Sequence, residues 1–268
     1  MRREHVPCRW TPDGSPGKLR VLPGGFSLIE LLVVAAILGV LIAILVPGLA
    51  RARTQVKRLA CQSNLRQLAL AWHHYLQDSR GYFLQETDAE FNYGGKIGQR
   101  KAPNGKPLNP YVRLPKNARE GAEVFHCPGD QGGARVRSCF DQYGTSYVMN
   151  PLLVGPPQVQ FSRIDPCYGL LTAVGNRRGG LNRSKITVNE SRLVLMGDYG
   201  WLPAWQVAST ERIEWHGRPY GHNVAFLDGH AEFVYLRKGL HVTPEYNVIP
   251  FADAMSEIMR VQQSVPLK

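Results

Sequence analysis

Residues 23–47 read PGGFSLIELLVVAAILGVLIAILVP, and this stretch organises the reading of the whole 268-residue chain. From 31 to 46 it holds no charge and no strongly polar side chain. With residues 26–29 added, the apolar run approaches the roughly 20 residues a helix needs to cross a hydrocarbon core of about 30 Å. A lone segment in lipid satisfies its backbone only as a helix, so the pattern predicts a membrane helix over 26–48. A secretory signal peptide would place a small-residue cleavage site after the run. Here the run leads into Val46, Pro47 and Gly48, then Arg51 and Arg53. A plain anchor explains the length, but neither the Gly24-Gly25 pair nor Glu30, the single charge in the segment. An ionisable group facing lipid is costly and marks a function.

Taken from 25 to 53, GFSLIELLVVAAILGVLIAILVPGLARAR resembles the N-terminus of type IV prepilins and type II secretion pseudopilins. The resemblance implies a leader over 1–25, cut after Gly25 by prepilin peptidase, with methylation of the new N-terminal Phe26. It also implies that Glu30 is the acid at the fifth mature position and Pro47 the helix-kinking proline, both serving assembly. The physics agrees with these roles. In a bundle of apolar helices the Glu30 carboxylate can face the Phe26 amine of a neighbour, which offsets the cost of burying it. Pro47 removes a backbone donor and collides with the preceding turn, so a kink or local melting is expected there. Lys18 and Arg20 precede the helix while Arg51, Arg53, Lys57 and Arg58 follow it, so charge does not orient the span. The resemblance does: leader in the cytoplasm, a single pass through the cytoplasmic membrane, and the remainder outside.

Beyond Pro47 the pattern stays helical to about residue 80. Leu65, Leu68, Ala69, Trp72 and Leu76 fall on one face, predicting an amphipathic extension over 49–80 with Gly81 as its stop. Three further motifs strengthen the resemblance to one large pilin-like group: CQSNLRQL at 61–68, FHCPGD at 125–130 and SYVMN at 146–150. Members of that group carry a histidine, a nine-residue gap and Asp-Gly near the C-terminus. Here Asp228-Gly229 is present, but the upstream His216 is separated from it by eleven residues, and Arg218 holds the nominal place. A two-residue insertion around 218–220 reconciles the two.

Residues 85–120, rich in Gly, Asn, Pro and Lys, read as surface loop. Short β-like runs follow at 145–149, 170–174 and 192–196. In HNVAFLDGHAEFVYL, 222–236, two alternating runs flank Asp228-Gly229, a dipeptide suited to a two-residue hairpin turn with positive φ at both positions. A short helix is expected near 252–261.

Chemistry is sparse. Cys8, Cys61, Cys127, Cys139 and Cys167 form no CxxC pair. If the chain is exported, Cys127 and Cys139 are close enough in sequence to close a short disulfide loop; the alternative is buried thiols. His216, Asp228 and His230, with His222 and Asp198 nearby, are the candidate ligands for a divalent metal, although Asp228-Gly229 already has a turn to explain it. No compact calcium loop, GxSxG, HExxH, Walker A or dinucleotide fingerprint occurs, and His126 beside Cys127 points the wrong way in a strand to activate it. No catalytic residue and no required cofactor is therefore expected. Trp201, Trp205, Trp215 and Tyr220 are read as core or as a partner surface. The net charge of +11 is scattered, and its densest group lies just past the apolar run, where anionic lipid rather than nucleic acid is the nearer partner.

The expected fold is α+β and pilin-like: a long N-terminal α-helix, its first half transmembrane, packed on an antiparallel β-sheet, with residues 81–268 as an extracytoplasmic domain. The expected function is a pseudopilin- or pilin-like subunit of a type II secretion or type IV pilus system, partnered by prepilin peptidase, like subunits and membrane lipid. The rival is a monomeric membrane-anchored binding protein, with a glycan as one ligand class.

Overall fold

The computed structural model describes residues 27–86, 88–99, 104–133, 136–155, 163–177, 180–206, 209 and 212–264. The leader, Gly25 and Phe26 lie outside the described residues. The chain divides into two units, Met1–Leu49 and Ala50–Lys268.

Helix α1, Leu28–Asp78, contributes to both units. Every described residue of the first unit is exposed, including Leu31, Leu32, Ile37, Leu41 and Leu45. This is the helix long and apolar enough to cross a membrane, a property that a membrane anchor shares with a signal sequence. Pro47, where a kink or local melting was expected, lies inside the helix, which continues through it.

In the second unit α1 becomes one-sided. Leu65, Leu68, Ala69, Trp72 and Leu76 are buried, while Arg66 and Gln67 stay in solvent, as the periodicity predicted, and Cys61 is buried with them. Each large apolar side chain removed from water contributes about 1.5–3 kcal/mol. The helix then closes on two left-handed residues, Arg80 at φ 54° and Gly81 at φ 85°, with the Gly81 N–H donating to the Leu76 carbonyl.

The surface against which this face packs is an antiparallel sheet in the order β1-β2-β3-β4: Tyr147–Met149, Val194–Asp198, Gly221–Phe226 and Ala231–Tyr235. Asn64 of α1 donates to the Tyr147 hydroxyl in β1, and Asn223 in β3 donates to the Arg58 carbonyl. At the far edge Arg66 donates to the Ala231 carbonyl, and the Arg58 guanidinium lies 4.7 Å above the Phe233 ring. The helix therefore touches β1, β3 and β4. Short helices fill the connections: α2 (Ala89–Asn92), α3 (Cys139–Tyr143), α4 (Tyr168–Arg177), α5 (Trp201–Trp205) and α6 (Ala252–Ser264).

Three local expectations change. Residues 170–174 lie in α4 rather than in a strand; a five-residue apolar run does not distinguish the two by pattern alone. Residues 85–120 are not simply surface: Tyr93, Lys106, Leu108 and Asn109 are buried. The Asn109 amide accepts from the Gly95 N–H and donates to the Gly95 and Pro115 carbonyls, and the Lys106 ammonium donates to the Phe91 and Tyr143 carbonyls. Polar side chains that satisfy loop backbone can be buried with it. The β3–β4 hairpin exists, but only Gly229 has positive φ, at 99°. Gly229 N–H donates to the Phe226 carbonyl and Phe226 N–H to the His230 carbonyl, a three-residue loop closed by a left-handed glycine.

Candidate functional site

At the start of α1 the Glu30 carboxylate accepts the Ser27 backbone N–H at 2.9 Å, and the Ser27 hydroxyl accepts the Ile29 N–H at 3.3 Å. Ser27 and Glu30 thus form a capping box, which satisfies two of the amides a helix leaves unpaired at its N-terminus. The acid has a local role in addition to the intermolecular one implied by the resemblance.

In the second unit the three motif segments meet. Asn64, from the first, donates to the His126 carbonyl, in the second, and to Tyr147, in the third. Asp130 accepts four hydrogen bonds, from the Gly132, Cys139 and Phe140 amides and from the Ser146 hydroxyl, all between 2.7 and 3.1 Å. Asn150 donates to the Val194 and Val248 carbonyls and accepts from the Leu152 N–H. The acid and amide residues of these motifs are structural pins.

Where those segments converge, four side chains with metal-binding chemistry are buried together: Cys61 of α1, Cys127 after the turn Glu123–Phe125, Asp198 at the end of β2, and His216 in the loop before β3. The two sulfurs and a His216 ring nitrogen all lie within 4.8 Å of one another. His216 Nε2 is 3.7 Å from Cys127 Sγ, 3.3 Å from Asp198 Oδ2 and 3.0 Å from Asn223 Nδ2. The other Asp198 oxygen meets His222 Nδ1 at 2.8 Å, and Asp198 Oδ2 also accepts the Asn223 backbone N–H.

These contacts set the electrostatics. Burial alone would raise the Asp198 carboxyl, but the His222 charge and hydrogen bonds from His216 and His222 hold it well below the usual carboxylate range. Burial also opposes ionisation of Cys127, yet hydrogen bonds from Cys61 and His216 bring it down to about 7. Burial would lower His216, but Asp198 and Cys127 push it up to about 9. Cys61 is driven well above the usual thiol range, by burial first and then by Cys127. The arrangement lacks relay geometry for a nucleophilic cysteine: Asp198 and Cys127 approach the same imidazole nitrogen, and Cys127 is 0% exposed.

The expected ligand set separates. His216 belongs to the buried cluster, but Asp228 and His230 do not. They bond to each other at 2.6 Å across the hairpin turn, half-exposed, with His230 stacked on Phe226. From Asn223, which His216 touches, β3 carries the chain roughly 10 Å to its end at Phe226, at about 3.3 Å per residue, before the turn that holds Asp228. Cys127 and Cys139 are not joined by a disulfide. Cys127 Sγ faces His216 and accepts the Gly129 N–H, whereas the Cys139 amide is held by Asp130 at the start of α3. Trp201, Trp205 and Trp215 are core: Trp201 donates to the Val148 carbonyl and Trp215 to the Gly132 carbonyl, which leaves Tyr220 as the exposed member of that group. The pairing of Cys61 with Cys127 was not anticipated, because 66 positions separate them and nothing in that spacing brings a helix and a distant turn together. A second buried trio, Asp165, Cys167 and His241, was also missed.

Neither a family model nor a curated protein nor a solved structure matches this chain.

Proposed function

We propose that the chain is a prepilin-like subunit of a secretion or pilus system. It is cut after Gly25, methylated at Phe26, anchored once in the cytoplasmic membrane by the first part of α1, and assembled with like subunits on the far side. The observation that carries this reading is the N-terminal segment. Its apolar side chains are uniformly exposed over 28–49, and its one acid lies at the first turn of the helix. A helix apolar on all sides belongs in lipid or among other apolar helices. The domain supports the reading through its α+β layout, with the same helix continuing into it as a packing element. We assign it no catalytic role.

The test is intact mass and N-terminal sequencing of the protein from its native membranes, followed by crosslinking there. A mature chain beginning at methylated Phe26, with a ladder of oligomers linked through the helix, is the expected result. An uncut chain that crosslinks to nothing would overturn the proposal in favour of a monomeric anchored binding protein. That rival has lost its aromatic surface to the core, since the three tryptophans before β3 are buried.

A further inference from the structure

We propose that Cys61, Cys127 and His216, completed by Asp198, form a structural site for one zinc-class divalent cation. The site would fasten α1 to the sheet and to the loop before β3, and it stands independently of whether the chain assembles.

The argument begins with distances. Zinc holds sulfur at about 2.3 Å, imidazole nitrogen at about 2.0–2.1 Å and carboxylate oxygen at about 2.0–2.2 Å in a tetrahedron. Two ligands at the tetrahedral angle then stand about 3.5 Å apart for sulfur and nitrogen, and about 3.3 Å for nitrogen and oxygen. His216 Nε2 lies 3.7 Å from Cys127 Sγ and 3.3 Å from Asp198 Oδ2. Two edges of the tetrahedron are already in place. The Cys61 sulfur, within 4.8 Å of both Cys127 Sγ and His216, needs a shift of at most about 1.3 Å to complete the edges it shares with them. Asp198 Oδ2, 3.3 Å from His216 Nε2, is the carboxylate beside this trio and the candidate for the fourth position.

The hydrogen-bond count points the same way. His216 Nε2 faces a sulfur and a carboxylate oxygen, which accept, and the Asn223 amide nitrogen, which donates, so neither tautomer serves all three. A cation at the centre of these groups satisfies sulfur, oxygen and nitrogen lone pairs together. The surrounding groups suit thiolate and carboxylate ligands: Gly129 N–H donates to Cys127 Sγ, while His222 and the Asn223 N–H hold the two oxygens of Asp198. Two soft sulfurs with an imidazole select zinc over calcium or magnesium. Complete burial of all four residues fits a closed structural site rather than an open catalytic one. The second trio, Asp165, Cys167 and His241, is a weaker candidate: it supplies one sulfur, and burial together with the Asp165 charge pushes that thiol up to about 11.

The experiment uses the full chain purified in detergent under reducing conditions, stripped with a chelator and reloaded with zinc or cobalt(II). Cobalt is expected to give the thiolate-to-metal charge-transfer band and the intense visible bands of a tetrahedral sulfur-ligated ion. Elemental analysis should find one zinc more per chain in the parent than in Cys61→Ser/Cys127→Ser, while Cys139→Ser keeps the parent content. Asp198→Asn should retain the sulfur charge-transfer band and weaken zinc binding at least tenfold. A parent chain with no cobalt–thiolate band overturns the site without relying on any variant. So does peptide mapping of unreduced protein that finds Cys61 and Cys127 joined as a disulfide, for then the sulfurs are covalently spent.

Discussion

Glu30 carries two separable jobs. Its carboxylate caps the first turn of α1 through the Ser27 N–H, and glutamine serves equally well at that position of a capping box. Its charge is needed only if a neighbour's amine is the partner. Glu30→Gln should therefore leave the helix start intact by circular dichroism while sharply reducing crosslinked oligomers in membranes. Assembly at the parent level would reduce Glu30 to a cap. Lys106 is a second residue whose role can be isolated. It is fully buried, and burial lowers its ammonium from 10.5 to about 8. Between those values the unfolded chain binds the proton and the folded chain does not, so stability rises with pH across that window. The rise is at most about 3 kcal/mol. Raised groups such as Cys167 act in the opposite direction over the same range. The measure is therefore the difference between parent and Lys106→Met in urea denaturation, which should shift in the parent's favour by that amount from the lower to the upper end of the window.

Among the elements, the β3–β4 hairpin shows what sequence pattern carries and what it omits. The alternating runs and Asp228-Gly229 located both strands and their turn. The turn type was missed, because dipeptide preference does not count the residues that the register leaves over. With Ala225 opposite Ala231 and Phe226 bonded to His230, three residues remain in the loop, and only Gly229 must be left-handed. A Cβ at Gly229 would meet no atom closer than 3.6 Å, so Gly229→Ala tests conformation without a clash. It should cost about 1–2 kcal/mol in thermal or chemical denaturation. The Asp130 element is more demanding. Asp130→Ala orphans the Gly132, Cys139 and Phe140 amides and the Ser146 hydroxyl together, and a loss of about 3 kcal/mol or more is expected by the same measurement.

Across the whole molecule, the helix was legible because its signals are local: an unbroken apolar run, then a stripe at helical spacing from Leu65 to Leu76. The buried cluster was not. Its members stand at 61, 127, 198 and 216, and nothing in the spacing of such distant residues states that a helix, a turn, a strand end and a loop converge. Proximity in sequence instead suggested grouping His216 with Asp228 and His230, which β3 then carries apart. The motifs were better guides than the spacing, since three of them met around Asn64, Asp130 and Ser146.

The tail beyond β4 adds one more consequence. Val194 N–H donates to the Asn247 carbonyl, Asn247 N–H to the Arg192 carbonyl, and the Asn150 amide bridges Val194 to Val248. The middle of the sheet is thus locked by residues that follow all four strands in the chain. A growing chain that has delivered all four strands still lacks the piece that seals β2, so the domain matures only after Asn247 and Val248 have followed them. Until then its half-built sheet is substrate for proteases and chaperones, and a chain stopped after Leu240 should remain in that vulnerable state.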